Sequence, residues 1–331
     1  LRKAGIDVVH ARAEDVDTAA RSVRLSSGQT LRYDKLVLSP GVDMRWNALQ
    51  GYDEAAAHLA PHAWKAGPQT QLLRQQMEAM EDGGTFVMVI PANPFRCPPG
   101  PYERAAMVAH YFKQHKPKSK ILLLDNKDAF SKQGLFLQGY KALYGDMIEW
   151  VKQSDDGQVV RVDARQRVVE TAFGTQHKAD VLNVIPPQRA GDIAHNAGLT
   201  TANRRWCEVD WLTMESTAAK NIHILGDALQ IAPAMPKSGH MANQHAKVAA
   251  AAILRLLAGE APNLTPVVMN TCYSFVDSKN VIHVASVHQY DAAKKVVLPV
   301  PGAGGVSMAA NELEAKFALA WAKNIWADML V

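Results

Sequence analysis

The sequence predicts an α/β protein of two Rossmann-like domains, the first lacking its N-terminal βαβ, followed by a C-terminal α+β domain. Three observations predict it. Two hairpin-plus-strand segments repeat at a fixed offset of 146 positions. The residues between them run strand, loop, helix, strand, acid, which is the order of a Rossmann half. A late apolar strand then ends in Gly226-Asp227 ahead of an Ala-rich helix.

The repeat aligns Asp17, Arg21, Val23, Gly28, Asp34, Leu36 and Pro40 with Asp163, Arg167, Val169, Gly174, Asp180, Leu182 and Pro186, without a gap. Each copy reads as a hairpin turning near its Gly, then a short buried strand, over 33–38 and 179–185. In the second copy an opening strand at 85 precedes Asp163. The same construction in the first copy places its opening strand at about position −61, by the repeat offset. At least that much N-terminal sequence, including any G-x-G-x-x-G loop, is expected upstream of Leu1.

Between the copies, strands are expected at 85–91, 121–124 (ending at Asp125) and 147–151, with helices at 102–115 and 133–143. The loop after the first strand, 91–103, stands where a second phosphate loop would be. Such a loop works through backbone N–H groups and close-approach glycines. Here Pro94, Pro98, Pro99 and Pro101 crowd around a single Gly100, and proline has no N–H. Pyridine nucleotide binding is therefore not expected.

The segment 221–228 reads as a buried strand ending in Gly226-Asp227. In flavoproteins with two Rossmann domains such a strand brings its Asp to the ribityl chain. Ser39-Pro40-Gly41 after Leu36-Val37-Leu38 resembles the other FAD-side turn of that group. Pro236-Lys237-Ser238 leads into a helix expected over 241–257, and its positive end and free amides would favour negative charge on a reduced isoalloxazine ring, with help from Lys237.

Composition limits the alternatives. Of 331 residues 48% are hydrophobic and 21% charged, as in globular proteins, and the net charge is +4 with no basic run for nucleic acid. The longest apolar stretch, 248–257, is interrupted by Arg255 and too short to span a bilayer. Three cysteines (Cys97, Cys207, Cys272) leave one spare if two pair, and no C-x-x-C-H haem motif occurs. Cys97 lies near the start of the 102–115 helix, where a thiolate is favoured, with Glu103 on the first turn. No protein-bound metal is expected: Pro61 separates His58 from His62, and His240 and His245 are five apart. On the C-terminal helix, 311–330, Leu313, Phe317, Trp321 and Ile325 read as a packing face first, and a docking or membrane-surface face second.

Arg96-Cys97-Pro98-Pro99-Gly100-Pro101-Tyr102-Glu103-Arg104, Met235-Pro236-Lys237-Ser238-Gly239 and Asn270-Thr271-Cys272-Tyr273-Ser274 resemble the flavoprotein subunit of flavocytochrome c sulfide dehydrogenase, over essentially the whole chain. The resemblance implies FAD, a Cys97–Cys272 redox disulfide beside it, Glu103 as a base and Trp321 packed near the flavin. Its flavin side falls on Gly41, Gly226, Asp227, Pro236, Lys237 and Ser238. Cys207 is left as a structural residue. The family often carries FAD covalently through an N-terminal cysteine, a region outside this sequence.

The resemblance further implies oxidation of hydrosulfide, a small c-type cytochrome subunit as electron acceptor, and a periplasmic location. A related sulfide:quinone oxidoreductase at the membrane, a non-catalytic cytochrome-docking relative and an NADH-dependent disulfide reductase are the rival expectations. The expected division is 1–65 and 187–260 for the FAD domain, 66–186 for the second Rossmann-like domain and 261–331 for the C-terminal domain.

Overall fold

A computed structural model describes residues 1–330. Strands β1 (Ala13–Asp17), β2 (Ser22–Leu25) and β3 (Thr30–Arg32) form an antiparallel sheet, followed by β4 (Leu36–Leu38) and β5 (Val42–Met44). Helix α1 (Pro68–Ala79) leads into β6 (Thr85–Ile90), α2 (Gly100–His115), β7 (Lys120–Asp125), α3 (Gln133–Tyr144) and β8 (Ile148–Val151). A second antiparallel sheet, β9 (Val159–Asp163), β10 (Val168–Thr171) and β11 (Gln176–Lys178), precedes β12 (Val181–Val184). The expected helix at 102–115 starts two residues earlier, at Gly100, because Pro101 suits a first turn where no N–H is needed.

The repeat is a structural repeat down to single hydrogen bonds. Asp17 Oδ1 accepts the amides of Ala19 and Ala20, and Asp163 Oδ1 accepts those of Arg165 and Gln166. Arg21 and Arg167 both take positive φ, at 49° and 55°. Tyr33 N donates to Arg21 O as Ala179 N donates to Arg167 O, and Ser26 N donates to Arg12 O as Ala172 N donates to Gln158 O. Asx turns of this kind close a hairpin by giving the chain a local acceptor.

The order β12-β6-β7-β8 is a parallel sheet buried on both faces. Phe86, Met88 and Ile90 of β6 point into a core with Phe112, Leu123 and Phe136, while Val87 and Val89 point into another with Tyr52, Leu124 and Val184. The period of two along a strand makes that split, and the double burial explains why β6 reads as a continuous apolar run.

The chain then returns to the first unit. β13 (Gln188–Ala190) pairs antiparallel with β5, and after α4 (Asp192–Asn196) come β14 (Val209–Asp210), β15 (Glu215–Ser216) and β16 (Ile222–Ile224). β16 lies parallel to β4, with Ile222 opposite Leu36. Helix α5 (Gly239–Leu257) follows, with its N-cap Ser238 accepting from Met241 N at 3.1 Å. Three long antiparallel strands, β17 (Val267–Phe275), β18 (Val281–Asp291) and β19 (Val296–Val306), then α6 (Glu312–Leu330), complete the described chain.

The expected packing face of α6 is corrected by the structure. Leu313 and Phe317 are at least half exposed and only Ala318 of this helix is buried. Spacing of four residues drifts around a 3.6-residue turn, so the stripe leaves the contact line. Trp321 does pack inward, at 5.4 Å from the His240 ring and 6.2 Å from Tyr273.

Candidate flavin and thiol site

The loop between β6 and α2 is pinned residue by residue. Phe95 is buried, and Trp64 Nε1 donates to Arg96 O at 3.0 Å. Arg96 N donates to Gln188 Oε1 at 2.9 Å, and its Nε to Asp227 Oδ2 at 2.8 Å. Cys97 N donates to Lys237 O, and Cys97 O accepts from Gly100 N, both at 2.8 Å. Cys97 itself has φ of 56°, a left-handed conformation costly for a residue with a Cβ. These bonds tie a loop of one Rossmann-like unit to two flavin-side residues of the other.

Cys272 arrives from the opposite side on β17, opposite Val284 of β18. Asn270 Nδ2 donates to its Sγ at 3.3 Å, and Ser238 Oγ donates to Asn270 Oδ1 at 2.5 Å. Both thiols are free in this structure. Their segments meet at one cavity, which Pro98, next to Cys97, and Cys272 both line.

The expectation of a favoured thiolate at Cys97 is overturned. Burial pushes its thiol up to about 12, with Cys272 and Glu103 adding to the rise. The prolines before and inside the first turn of α2 remove amides that would have supported a thiolate there. Glu103 is held above the usual carboxylate range by burial, against the Phe275 amide (2.9 Å to Oε1), Lys132 and Ser274. Cys207 lies in the other core beside Trp206, its thiol pushed up by burial to about 12.

Lys132 is a site residue that the sequence did not reveal. It precedes α3 with φ of 62°, is buried, and sends its Nζ to Cys272 O (2.9 Å) and Ser274 Oγ (2.8 Å). Asn270 was likewise missed except as part of a motif, and Arg96 had no assigned role. The partners of Lys132 lie 140 and 142 positions away and the Asp227 partner of Arg96 131 away, and no local pattern encodes that.

A cavity of about 340 Å³ opens where these elements meet, lined by Pro94, Phe95, Pro98, Met235, Pro236, Lys237, Asn270 and Cys272. The residues fit a flavin. Asp227 lines a smaller adjoining cavity that shares Met235, Pro236 and Lys237 with the first, and its Oδ1 is buried without a partner, as is Trp321 Nε1 of α6. Gly226 is in the left-handed region (φ 71°), where a Cβ would meet Ala242 at 3.1 Å. Gly41 (φ 64°) accepts from Gly191 N at 3.0 Å and underlies the Arg96 guanidinium. Lys237 differs from expectation. Its Nζ turns inward to Asp227 O (2.9 Å) and Leu229 O over the Trp206 ring, and burial lowers it to about 7.

The second Rossmann-like unit has closed its own acid. Asp125, at the end of β7 where such folds meet a ribose, is fully buried. It accepts from Tyr102 Oη at 2.5 Å and Trp150 Nε1 at 2.9 Å and pairs with Lys127. Phe130 stacks on Tyr102 with centroids 3.5 Å apart.

Fold and site together define an FAD oxidoreductase with two dinucleotide-binding domains, a parallel sheet and a C-terminal antiparallel sheet. Residues 70–186 match the family described as sulfide dehydrogenase (flavocytochrome c) flavoprotein chain, central, and residues 264–330 the flavin-binding domain of flavocytochrome c sulphide dehydrogenase. Between them they cover more than half of the chain, which belongs to that flavoprotein family, related to the sulfide:quinone oxidoreductases. A mitochondrial sulfide:quinone oxidoreductase of Dictyostelium discoideum is 22% identical over 211 residues, 62% of this chain and 46% of the relative. The chain thus spans about half the length of that relative. Among solved structures, the sulfide:quinone oxidoreductase of Aquifex aeolicus superposes with a TM-score of 0.72 at 17% identity, over 98% of this chain and 76% of the other. An NAD-dependent persulfide reductase from A. fulgidus gives 0.58 at 16% identity, over 92% and 60%.

Proposed function

We propose that the protein oxidises hydrosulfide through a Cys97–Cys272 couple and passes the electrons by way of FAD to a small c-type cytochrome in the periplasm. The observation that carries this reading is the approach of two cysteine-bearing segments to one cavity: Pro94, Phe95 and Pro98 of the Cys97 loop and Cys272 of β17 line it, beside Pro236 and Lys237 ahead of α5. FAD, when bound, takes up two electrons and releases them to a one-electron carrier.

In the oxidised couple, hydrosulfide forms a bond to Cys97 sulfur as the Cys97–Cys272 bond breaks, and that bond's electron pair leaves on Cys272 as thiolate. A second hydrosulfide takes the outer sulfur as hydrodisulfide and leaves Cys97 reduced. Closure of the couple then releases two electrons and one proton, and Glu103, buried beside Cys97, receives the proton. Asn270 keeps Cys272 facing Cys97, and the pinned proline loop keeps Cys97 in place. Asp227 and Trp321 offer polar contacts to the flavin, with Gly41, Gly226, Pro236 and Ser238 shaping its walls.

The family match supports the cytochrome, while the likeness to two sulfide:quinone oxidoreductases supports a quinone as the second reading. Phe317, Trp326 and Leu330 on α6 are exposed, although no helix among the described residues is long and apolar enough to cross a membrane. The full-length flavoprotein should bleach its flavin on adding sulfide, and Cys97→Ser should abolish bleaching while retaining FAD. Reduction of cytochrome c far ahead of a soluble quinone supports the first reading; the reverse order supports the second. Unimpaired bleaching in Cys97→Ser would overturn both.

A further inference from the structure

Lys132 is an ammonium without an ionic partner at salt-bridge distance among the described residues. Its Nζ is buried between β17 and the start of α3, 140 positions from the nearest backbone it touches. Two of its three protons go to neutral acceptors, Cys272 O and Ser274 Oγ. The Phe136 ring lies 5.6 Å away. A buried cation satisfied only by neutral groups is costly, and the cost falls when an anion forms beside it. The strongest charge acting on it is that of the Cys272 sulfur, followed by Glu103, Cys97 and Glu314.

We propose that Lys132 is the counter-ion of the Cys272 thiolate, a positioning residue that makes Cys272 rather than Cys97 the leaving sulfur of the couple. The assignment rests on the cysteine chemistry proposed above for its catalytic meaning, but not for its physical basis. When the Cys97–Cys272 bond breaks, its electron pair goes to the sulfur whose negative charge is better held. Cys272 has Lys132 on one side and the Asn270 amide on the other. Cys97 has Cys272, Glu103 and Asp227 opposing charge on it, and Lys132 favours that charge less than it favours charge on Cys272. Lys132 and the Ser274 hydroxyl bonded to it both favour the charged form of Glu103, so the same lysine bears on the group that receives the proton.

The charges facing this ammonium come from five elements. They are Cys97 of the proline loop, Glu103 of α2, Cys272 of β17, Glu314 of α6, and His283 of β18, which is paired with Glu314. Burial lowers Lys132 to about 8. The counter-ion is therefore present below that pH and is lost as pH rises through it.

The test is thiol labelling of the reduced, full-length holoprotein, with iodoacetamide rates read peptide by peptide. Cys207, in the core, serves as an unlabelled reference. Lys132→Gln keeps a donor for Cys272 O and Ser274 Oγ but removes the charge; Lys132→Arg keeps the charge. Labelling of Cys272 at pH 7 should slow at least about threefold in Lys132→Gln, a damped response because a more basic thiolate is also more nucleophilic. Lys132→Arg should restore it, and the wild-type rate profile should bend near pH 8.

Equal Cys272 rates in wild type and Lys132→Gln across pH 6 to 10, or a wild-type profile with no bend, would make Lys132 a structural tie and overturn the proposal. The wild-type profile decides the matter even if both variants unfold. Labelling needs no sulfide turnover. A protein that never oxidises sulfide but shows the Lys132 effect sinks the functional reading alone, and an active protein without the effect sinks this one alone.

Discussion

Arg96 Nε donates to Asp227 Oδ2 at 2.8 Å across the junction of the two Rossmann-like units. The arginine precedes Cys97 in the chain, and the aspartate keeps its other oxygen buried and unpaired. In the function proposed above, one carboxylate would serve both the cysteine loop and the flavin. Arg96→Leu should cost about 1–3 kcal/mol of stability, the range for hydrogen bonds to charged groups. It should also lower the FAD retained per chain after desalting. Thermal unfolding and the ratio of flavin to protein absorbance measure the two effects.

Asp125 makes a different prediction, because its partners are all side chains of its own unit. It is buried with Tyr102, Trp150 and the nearly buried Lys127 around it. Asp125→Ala leaves an uncompensated buried cation and should destabilise by about 3–5 kcal/mol, read as a fall in the urea midpoint. NADH added to wild type without oxygen should leave the flavin oxidised. Bleaching by NADH would revive the disulfide-reductase rival.

Stability should vary with pH in a defined way. Burial lowers Lys237 to about 7 and Lys132 to about 8, from an ordinary value near 10.5. Between those folded values and 10.5 the unfolded chain holds more protons, so stability rises with pH there. Cys97 is raised to about 12 from 9. Above 9 the folded state holds its proton longer, so this contribution falls with pH. The Cys207 thiol, raised likewise, adds to the falling contribution, so urea midpoints should climb from pH 7 to about 10 and then turn down. Lys237→Met should flatten the rising limb; an unchanged slope would refute the assignment.

Much of the fold was legible because its signals are local. Asp17 and Asp163 each close a turn within three residues, so the repeat survives as identical letters. β6 shows as an apolar run because both its faces are buried, and Gly226 and Gly41 stand where φ is positive. The site was legible only where a motif carried it, as with Cys97, Glu103 and Cys272. Lys132 reads as an ordinary surface lysine, since its acceptors lie 140 and 142 positions onward. The thiol of Cys97 was misread because the proximity of a helix start says nothing about burial or about amides lost to proline.

Ser238 links α5 to β17, as it caps α5 through Met241 N and holds Asn270 through its hydroxyl at 2.5 Å. Ser238→Ala removes the cap, worth about 1 kcal/mol, and frees the amide that donates to Cys272 Sγ. Ser238→Gly restores most of the capping energy, since glycine is tolerated at this position, but not the hydroxyl. The two variants should therefore differ in melting temperature and agree in thiol behaviour, both slowing Cys272 labelling relative to wild type. If the labelling rate instead followed the melting temperature, Asn270 would be acting through helix stability and not through its bond to the sulfur.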